Sequence, residues 1–448
     1  MVRRSLGDQT GLLVHPLSYV RQQRNWTHQD LVNAIAKRLK TAARREKAWR
    51  WEHWGVVPDD DTQLALAAEL GVEEELVQSL GWPHWLPAGE KIELDAPWSF
   101  DATMSVLDRT AGSAMLDRRG FMVLGVGVAA SLADQWLNIE PQALASVLRG
   151  GRIDANLVGC FEQRLPALRQ MDATLGGGSV RHLVDAELRL VTDLLASGSY
   201  AAAIGTRLLL VAAELGRIAG WASFDAGYHA AAERYWVGAL RAAHVANDRA
   251  AGANILKCMS LQRVDLERMD EALALSRTAL EGAKNAPPRV VAMLTVRQAR
   301  IHAVRGEATE CERLLVKAER DMSHADDQPA PSWAAYFDHA EYCAQVAACY
   351  LQLRRHHHTD RWLDQSLALQ PEERSRDRAT YLIWRSDTAI NLGELELACS
   401  LATKAIPDIA SARSKRNQRR LQDLHAKLTV HVHPSVLEFN DKVRDLVA

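Results

Sequence analysis

Aromatic residues make up only 6% of this 448-residue chain. Strand-favouring side chains are thin beside alanine and leucine, which excludes a fold built on sheets and points to helices. No apolar run reaches the roughly 18 residues that a membrane-spanning helix needs. The six cysteines (Cys160, Cys258, Cys311, Cys343, Cys349, Cys399) show no Cys-x-x-Cys spacing. They read as reduced core thiols of a cytoplasmic protein rather than as a zinc or disulfide framework. The first residues lack the apolar segment of a signal peptide. A P-loop, H-E-x-x-H and G-x-S-x-G are all missing, so no enzyme, metal or cofactor is expected. What remains, 48% hydrophobic and 25% charged, is an ordinary globular composition long enough for two or three domains.

Charge is distributed unevenly. The net charge of −2 hides a front in which residues 1–50 carry eleven Lys/Arg and three Asp/Glu, whereas residues 51–100 carry one Lys and eleven Asp/Glu. The densest basic stretch is Lys37, Arg38, Lys40, Arg44, Arg45, Lys47 and Arg50. An isolated run of this kind is usually a solvated helix face, but this one lies inside a short multi-helix pattern.

Leu17, Val20 and Arg21 open a first helical period, with Asn25-Trp26 as a turn. Thr27 suits an N-cap, with Asp30 three residues on as in a capping box. Leu31, Ile35 and Leu39 form the apolar stripe of a second helix. A third runs from Ala42 to Trp54, with Gly55 and Pro58 as its stop. A fourth starts at Thr62 and ends at Gly71, and a fifth covers Val72 to Leu80. Within this pattern Leu17/Arg21/Arg24, Thr27-His28-Gln29-Asp30-Leu31, Arg50-Trp51-Glu52-His53-Trp54-Gly55, Pro58 and Leu64…Ala67…Leu70-Gly71-Val72 resemble the xenobiotic-response-element (XRE, Cro/repressor-type) helix-turn-helix family. The pattern is departed from by about six extra residues around Ala36 to Thr41 and by Trp49, where a small polar residue is usual.

A recognition helix in a major groove needs long donors near its start. Arg44, Arg45 and Lys47 fill that place. Arg24, Thr27, His28 and Arg50 are placed for phosphate. Trp51 is read as a core plug, and Glu52 as the holder of a local arginine.

Residues 81–120, with Pro83, Pro87 and Pro97 among Trp82, Trp85 and Trp98, are expected to form a linker without a long helix, packed through its tryptophans. The Arg118-Arg119 pair ahead of an uncharged stretch imitates an export signal, and Gly125-x-Gly127-x-x-Ala130 a dinucleotide loop. Neither has the context it requires, so a buried helix is expected there.

Across residues 121–448 the pattern G-x₄-A-x₆-(A/L) recurs as Gly198/Ala203/Leu210, Gly227/Ala232/Ala239, Gly306/Cys311/Ala318 and Gly393/Ala398/Ala405. Glu267/Ala272/Ala279 and Arg354/Thr359/Ser366 continue it without the glycine. These repeats, clearest at Gly227-Tyr228…Ala232…Tyr235…Ala239-Leu240, resemble degenerate tetratricopeptide (TPR) repeats. The resemblance implies a right-handed superhelix of antiparallel helix pairs with a concave ligand surface, closed by the segment after Arg413. Tyr228, Asn254, Arg297, Arg300, Tyr336, His339 and Arg385 on first helices are its candidate groove residues. Each reads equally as an exposed polar side chain. His356-His357-His358 is read as a solvated turn.

The expected protein is therefore all-α. A five-helix helix-turn-helix domain spans 1–80, a linker 81–120 and a TPR-like domain 121–448. The layout resembles peptide-sensing regulators of Gram-positive bacteria, and more closely the NsdA-like group of actinobacterial regulators of differentiation and antibiotic production. That resemblance implies a homodimer bound to double-stranded DNA, with a peptide or protein ligand in the groove. The alternative is a TPR scaffold whose front domain contacts protein.

Overall fold

A computed structural model describes residues 16–24, 26–54, 56–72, 74, 77–78, 82–83, 85–86, 96–112, 128–141, 147–148, 151–175, 177–371, 374–412 and 414–447. Among them the chain is almost wholly helical. The exceptions include a two-residue antiparallel ribbon of β1 (Val147–Leu148) and β2 (Ser199–Tyr200). The chain forms two compact units.

The first unit contains α1 (Pro16–Gln23), α2 (His28–Leu39), α3 (Arg45–His53) and α4 (Asp60–Leu70). The capping box forms as expected: Thr27 Oγ1 accepts from the Asp30 amide, and Asp30 accepts from the Thr27 amide at 2.8 Å. α2 ends at Lys40, which adopts the left-handed conformation (φ 53°) and returns its amide to the Ala36 carbonyl. The third helix consequently starts at Arg45 rather than at Ala42, because the chain between two rigid helix ends is used as a loop. The fourth starts at Asp60 rather than Thr62, since the Asp59 carboxylate caps it by accepting the Thr62 amide at 2.8 Å. Gly71 closes it at φ 74°. Leu17, Val20, Leu31, Val32, Ile35, Ala48, Trp51, Leu66 and Leu70 form one core, with Trp51 the expected plug. Of the fifth helix, expected from Val72, only Val72, Glu74, Val77 and Gln78 are described: the last three are helical, and Val72 precedes the helix. Asn25, Gly55 and the stretch from Arg118 to Gly127 lie outside the described residues.

The linker expectation needs correcting at both ends. Trp85 and Leu86 are fully buried in the core of the first unit, where Trp85 Nε1 donates to Gln63 Oε1 at 2.9 Å. Gln63 in turn donates to the Pro58 carbonyl at 2.8 Å. Residues 96–111 belong instead to the second unit and carry all but the last residue of a 13-residue helix, α5 (Phe100–Gly112). Trp98 lies beneath the Arg241 guanidinium, 4.8 Å from its ring, and donates to Gln135 Oε1. The packing through tryptophans expected of this stretch is present at Trp85 and Trp98, each with a buried face and a paired N–H.

In the second unit, α6 (Val128–Asn138) covers the described end of the stretch in which a buried helix is expected and runs past it to Asn138, with Ala129, Leu132, Ala133 and Trp136 inside. Trp136 approaches so closely that a Cβ on Gly252 or Gly282 would stand 2.5 or 2.3 Å from its ring. The remaining helices are α7 (Ala155–Leu175), α8 (Gly177–Ser197), α9 (Ala202–Asp225), α10 (His229–Val245), α11 (Arg249–Asp265), α12 (Met269–Gly282), α13 (Pro288–Val304) and α14 (Ala308–Ser323). They continue with α15 (His339–Gln352), α16 (His356–Leu369), α17 (Ser375–Asn391), α18 (Leu395–Ala412), α19 (Lys415–Leu428) and α20 (Pro434–Val447).

Five of the pairs turn on the residue that heads each repeat. Gly227, Glu267, Gly306, Arg354 and Gly393 all have φ between 57° and 85°. In four of them the next amide reaches back five residues: Arg268 to Arg263, Glu307 to His302, Arg355 to Tyr350 and Glu394 to Ala389, at 2.8–2.9 Å. This is the six-to-one bond of a Schellman helix end. The small residues five and twelve positions later (Ala232/Ala239, Ala272/Ala279, Cys311/Ala318, Thr359/Ser366, Ala398/Ala405) are all at most 1% exposed. Small side chains there let the two helices of a pair approach.

The first copy is out of register. β2 occupies 199–200 and α9 starts at Ala202, so Ala203 is exposed while Gly205, Leu208 and Ala212 are buried. Leu421, Leu424 and Leu428 of α19 and Val436, Phe439 and Val443 of α20 close over Ala398, Ala402 and Ala405. That is the terminal cap expected after Arg413. Five cysteines are buried and Cys160 is exposed, on the outer surface of α7. The three adjacent histidines form the first turn of α16 rather than the connection before it, and His358 rests 5.1 Å from Tyr350. No helix among the described residues is long and apolar enough to cross a membrane.

Candidate functional site

Two places gather unsatisfied chemistry, one in each unit. In the first unit, α3 buries Ala48 and Trp51, and this fixes its outward face. Arg44, Arg45, Lys47 and Arg50 are all exposed and form no ion pair among the described residues. Arg50 lies over Trp54, 5.7 Å from its ring. Lys37 and Lys40 add exposed charge at the end of α2, whereas Arg38 pairs with Glu69 at 2.9 Å. No side chain caps α3, so its first amides stand beside Arg44 and Arg45, a combination suited to an anion.

The other candidates of this unit divide. Thr27 is exposed, its hydroxyl shared with Asp30. Arg24 is exposed, lies over Trp26 and donates to the Glu69 carbonyl at 3.3 Å. His28 does not belong with the phosphate set, because its ring turns inward and Nε2 lies 3.0 Å from Glu52 Oε2. The Glu52 side chain is 1% exposed and also accepts from Ser18 Oγ at 2.6 Å and Arg21 Nε at 2.9 Å. Burial raises its carboxyl, but the hydrogen bonds from Arg21 and Ser18 outweigh that and hold its pKa below the usual 4.5. The expected role for Glu52, holding a local arginine, is the one it performs. His28, Glu52 and His53 bring one ligand atom each within 4.8 Å of one another. Both Glu52 oxygens are already engaged. Beside the basic ridge, Trp49 stacks on His53 at 4.6 Å and meets Trp54 edge-on at 5.2 Å. Both indoles are exposed, at 38% and 66%.

In the second unit a cavity of about 570 Å³ is lined from α7, α9, α11, α13, α15, α17 and α19, the first helix of every pair, and from the segment around the 3₁₀ turn Ser332–Ala334. α17 and α18 return to pack on α7, where Arg376 and Asp172 pair at 2.8 Å. The wall is strongly cationic. Arg169 and Arg217 share Glu214, Arg374 holds Asp338, Arg376 holds Asp172 and Arg416 holds Asp265. Lys257, Arg297, Arg300 and Arg420 pair with no carboxylate among the described residues. Lys257 donates to the Tyr336 hydroxyl, Arg300 reaches Gln345 at 3.3 Å and Arg420 reaches Asn417 at 3.0 Å. Nε and Nη1 of Arg297 and Nε of Arg300 are buried with no hydrogen-bond partner among the described residues.

Burial without a counter-ion weakens protonation. It pushes Lys257 down to about 8, Arg420 to about 9 and Arg300 to about 10. Two further acids line the wall, Asp377, 3.8 Å from Arg376, and Glu341, which has no ion-pair partner among the described residues. Burial raises the pKa of Glu341, and Tyr381 and Gln345 donate to it. Aromatic rings complete the lining. Arg300 and Arg420 lie over Trp384, and Arg376 and Arg416 over Trp221.

Of the seven groove candidates, Arg297, Arg300 and Tyr336 line this cavity. Asn254 is on a first helix but is 1% exposed, buried within the packing of α11. His339 opens α15 on the surface, Arg385 is held by Asp360 and Asp364 at 2.8 Å, and Tyr228 stands in the turn after Gly227. The sequence reading overlooked Lys257, Arg217, Trp221, Trp384, Arg416 and Arg420. Arg217 and Lys257 stand at intervals of forty residues from the candidate Arg297, the usual spacing of the repeat heads, so aligning long cations to the repeat period finds these two. No protein-family model matches the chain, and no curated protein matches it either.

Proposed function

We propose that the chain is a DNA-binding transcriptional regulator, reading a duplex with α3 and sensing a ligand through the TPR-like second unit. The observation that carries the first half is the unpaired ridge of Arg44, Arg45, Lys47 and Arg50 on a helix whose opposite face is locked by Ala48 and Trp51. Such side chains reach guanine edges and phosphates when the helix start enters a major groove. In a homodimer, two such helices about one helical turn apart would read two half-sites. A ligand then regulates only by binding the two spacings unequally.

Gel-shift against genomic fragments, followed by sequencing of the retained DNA, tests the reading. Arg44→Ala and Arg45→Ala are expected to weaken specific binding by about 1–3 kcal/mol each and relax base preference, with affinity falling steeply as salt rises. Unchanged affinity and preference in both variants would remove α3 from the interface.

A second reading is favoured by one observation, the exposed Trp49–His53–Trp54 cluster beside the ridge. Exposed indoles next to arginine are typical of protein hot spots, which suits an adaptor that docks protein rather than DNA. Absence of any retarded band at low salt would select it.

A further inference from the structure

We propose that the cavity of the second unit binds a nucleoside polyphosphate, its phosphates taken by Lys257, Arg297, Arg300 and Arg420 and its base by the surrounding aromatic and guanidinium planes.

Charge balance carries the class of ligand. The nine cations of the wall meet six carboxylates, Asp172, Asp377 and Glu341 within it and Glu214, Asp338 and Asp265 paired to it, so about three positive charges are in excess. Leaving guanidinium N–H groups buried without acceptors is costly. Arg297 does so with Nε and Nη1, and Arg300 with Nε. A compact polyanion would supply the negative charge that these side chains lack, and charge-assisted bonds from arginine to phosphate are among the strongest available.

The remainder of the wall matches the other half of such a molecule. Trp221, Trp333 and Trp384 line it, and planar π-faces accept any base. Gln170 offers an amide donor and acceptor for its edge. A volume of about 570 Å³, walled by the return of α17 and α18 onto α7, suits a molecule of this size. An extended peptide supplies one terminal carboxylate and many backbone groups, so it answers the charge less well.

The binding step is independent of whether α3 contacts DNA. Only a regulatory consequence rests on that reading. Isothermal titration of the full chain would use ATP and GTP, with guanosine, pyrophosphate and a hexaglutamate peptide as comparators. One of the nucleotides is expected to bind at least tenfold more tightly than guanosine and pyrophosphate alike. The Arg297→Gln/Arg300→Gln pair is expected to lose at least tenfold in that affinity. The same variant without ligand should keep the parent's amide-exchange protection in α11, α13 and α15, since it removes two uncompensated cations, and this separates lost binding from lost folding. Arg44→Ala should leave nucleotide affinity unchanged whatever it does to DNA binding. No heat with either nucleotide at millimolar concentration would overturn the proposal. So would pyrophosphate binding as tightly as the nucleotides, tighter binding of hexaglutamate, or full affinity in the double variant.

Discussion

Replacing Glu52 by glutamine keeps the shape of the side chain and removes its charge, which isolates what that charge does beneath the candidate recognition helix. In the parent, the carboxylate accepts from Ser18 at 2.6 Å, Arg21 at 2.9 Å and His28 at 3.0 Å, tying α1 and the start of α2 to α3. Hydrogen bonds to a charged group contribute about 1 kcal/mol more than neutral ones, so three of them put the loss at about 3 kcal/mol. The Arg21 side chain is 17% exposed and keeps its bond to the Trp26 carbonyl, which limits the cost of leaving it unpaired. The two compact units make a single melting temperature ambiguous, so local amide hydrogen exchange is the suitable assay.

Protection of α1 and α3 amides is expected to fall about 100-fold, with the second unit unaffected. The sign of the pH dependence follows from the lowered pKa of Glu52. Its contribution is present above the ordinary value of 4.5 and disappears as pH falls through its lower folded value. Unchanged protection together with tighter DNA binding would refute the reasoning, because it would mean that Glu52 faces phosphate instead of holding Arg21.

Other outcomes follow from the repeat unit. At Gly306, φ is 76° and a Cβ would meet nothing within 4 Å, so Gly306→Ala should cost about 1–2 kcal/mol from backbone strain alone. Glu267, at φ 60°, carries the opposite strain, and Glu267→Gly should stabilise its hairpin by a similar amount, read as slower exchange in α11 and α12. Trp136→Ala should cost about 3–5 kcal/mol, and Gly252→Ala about 1–3 kcal/mol by pressing on the same ring, both measurable by denaturant unfolding. A Gly252→Ala variant as stable as the parent would place the Trp136 ring elsewhere.

Local chemistry made much of this protein readable in advance. A capping box at Thr27 and Asp30, a glycine stop at Gly71 and the turn heads at Gly227, Gly306 and Gly393 depend on residues a few positions apart, and all appear where the spacing put them. Even Glu267 and Arg354 take the turn conformation without being glycine, because the small residues five and twelve positions on set where each pair closes. The exposed basic face of α3 was legible for the same reason, as helical period alone sends Ala48 and Trp51 inward.

What spacing along the chain leaves open is which distant groups meet. His28 and Arg44 are both basic residues near a helix start, yet one finds Glu52 and the other finds solvent. Trp85 and Trp98 look alike in a proline-rich stretch but pack in different compact units. The cavity is the clearest case. Asp172 and Arg376 are 204 residues apart, and only their meeting encloses a space in which Lys257, Arg297, Arg300 and Arg420 lack counter-ions. Helix caps and turns are short-range and written in a few neighbouring residues, whereas the balance of charge in a pocket is a sum over every element that folds around it.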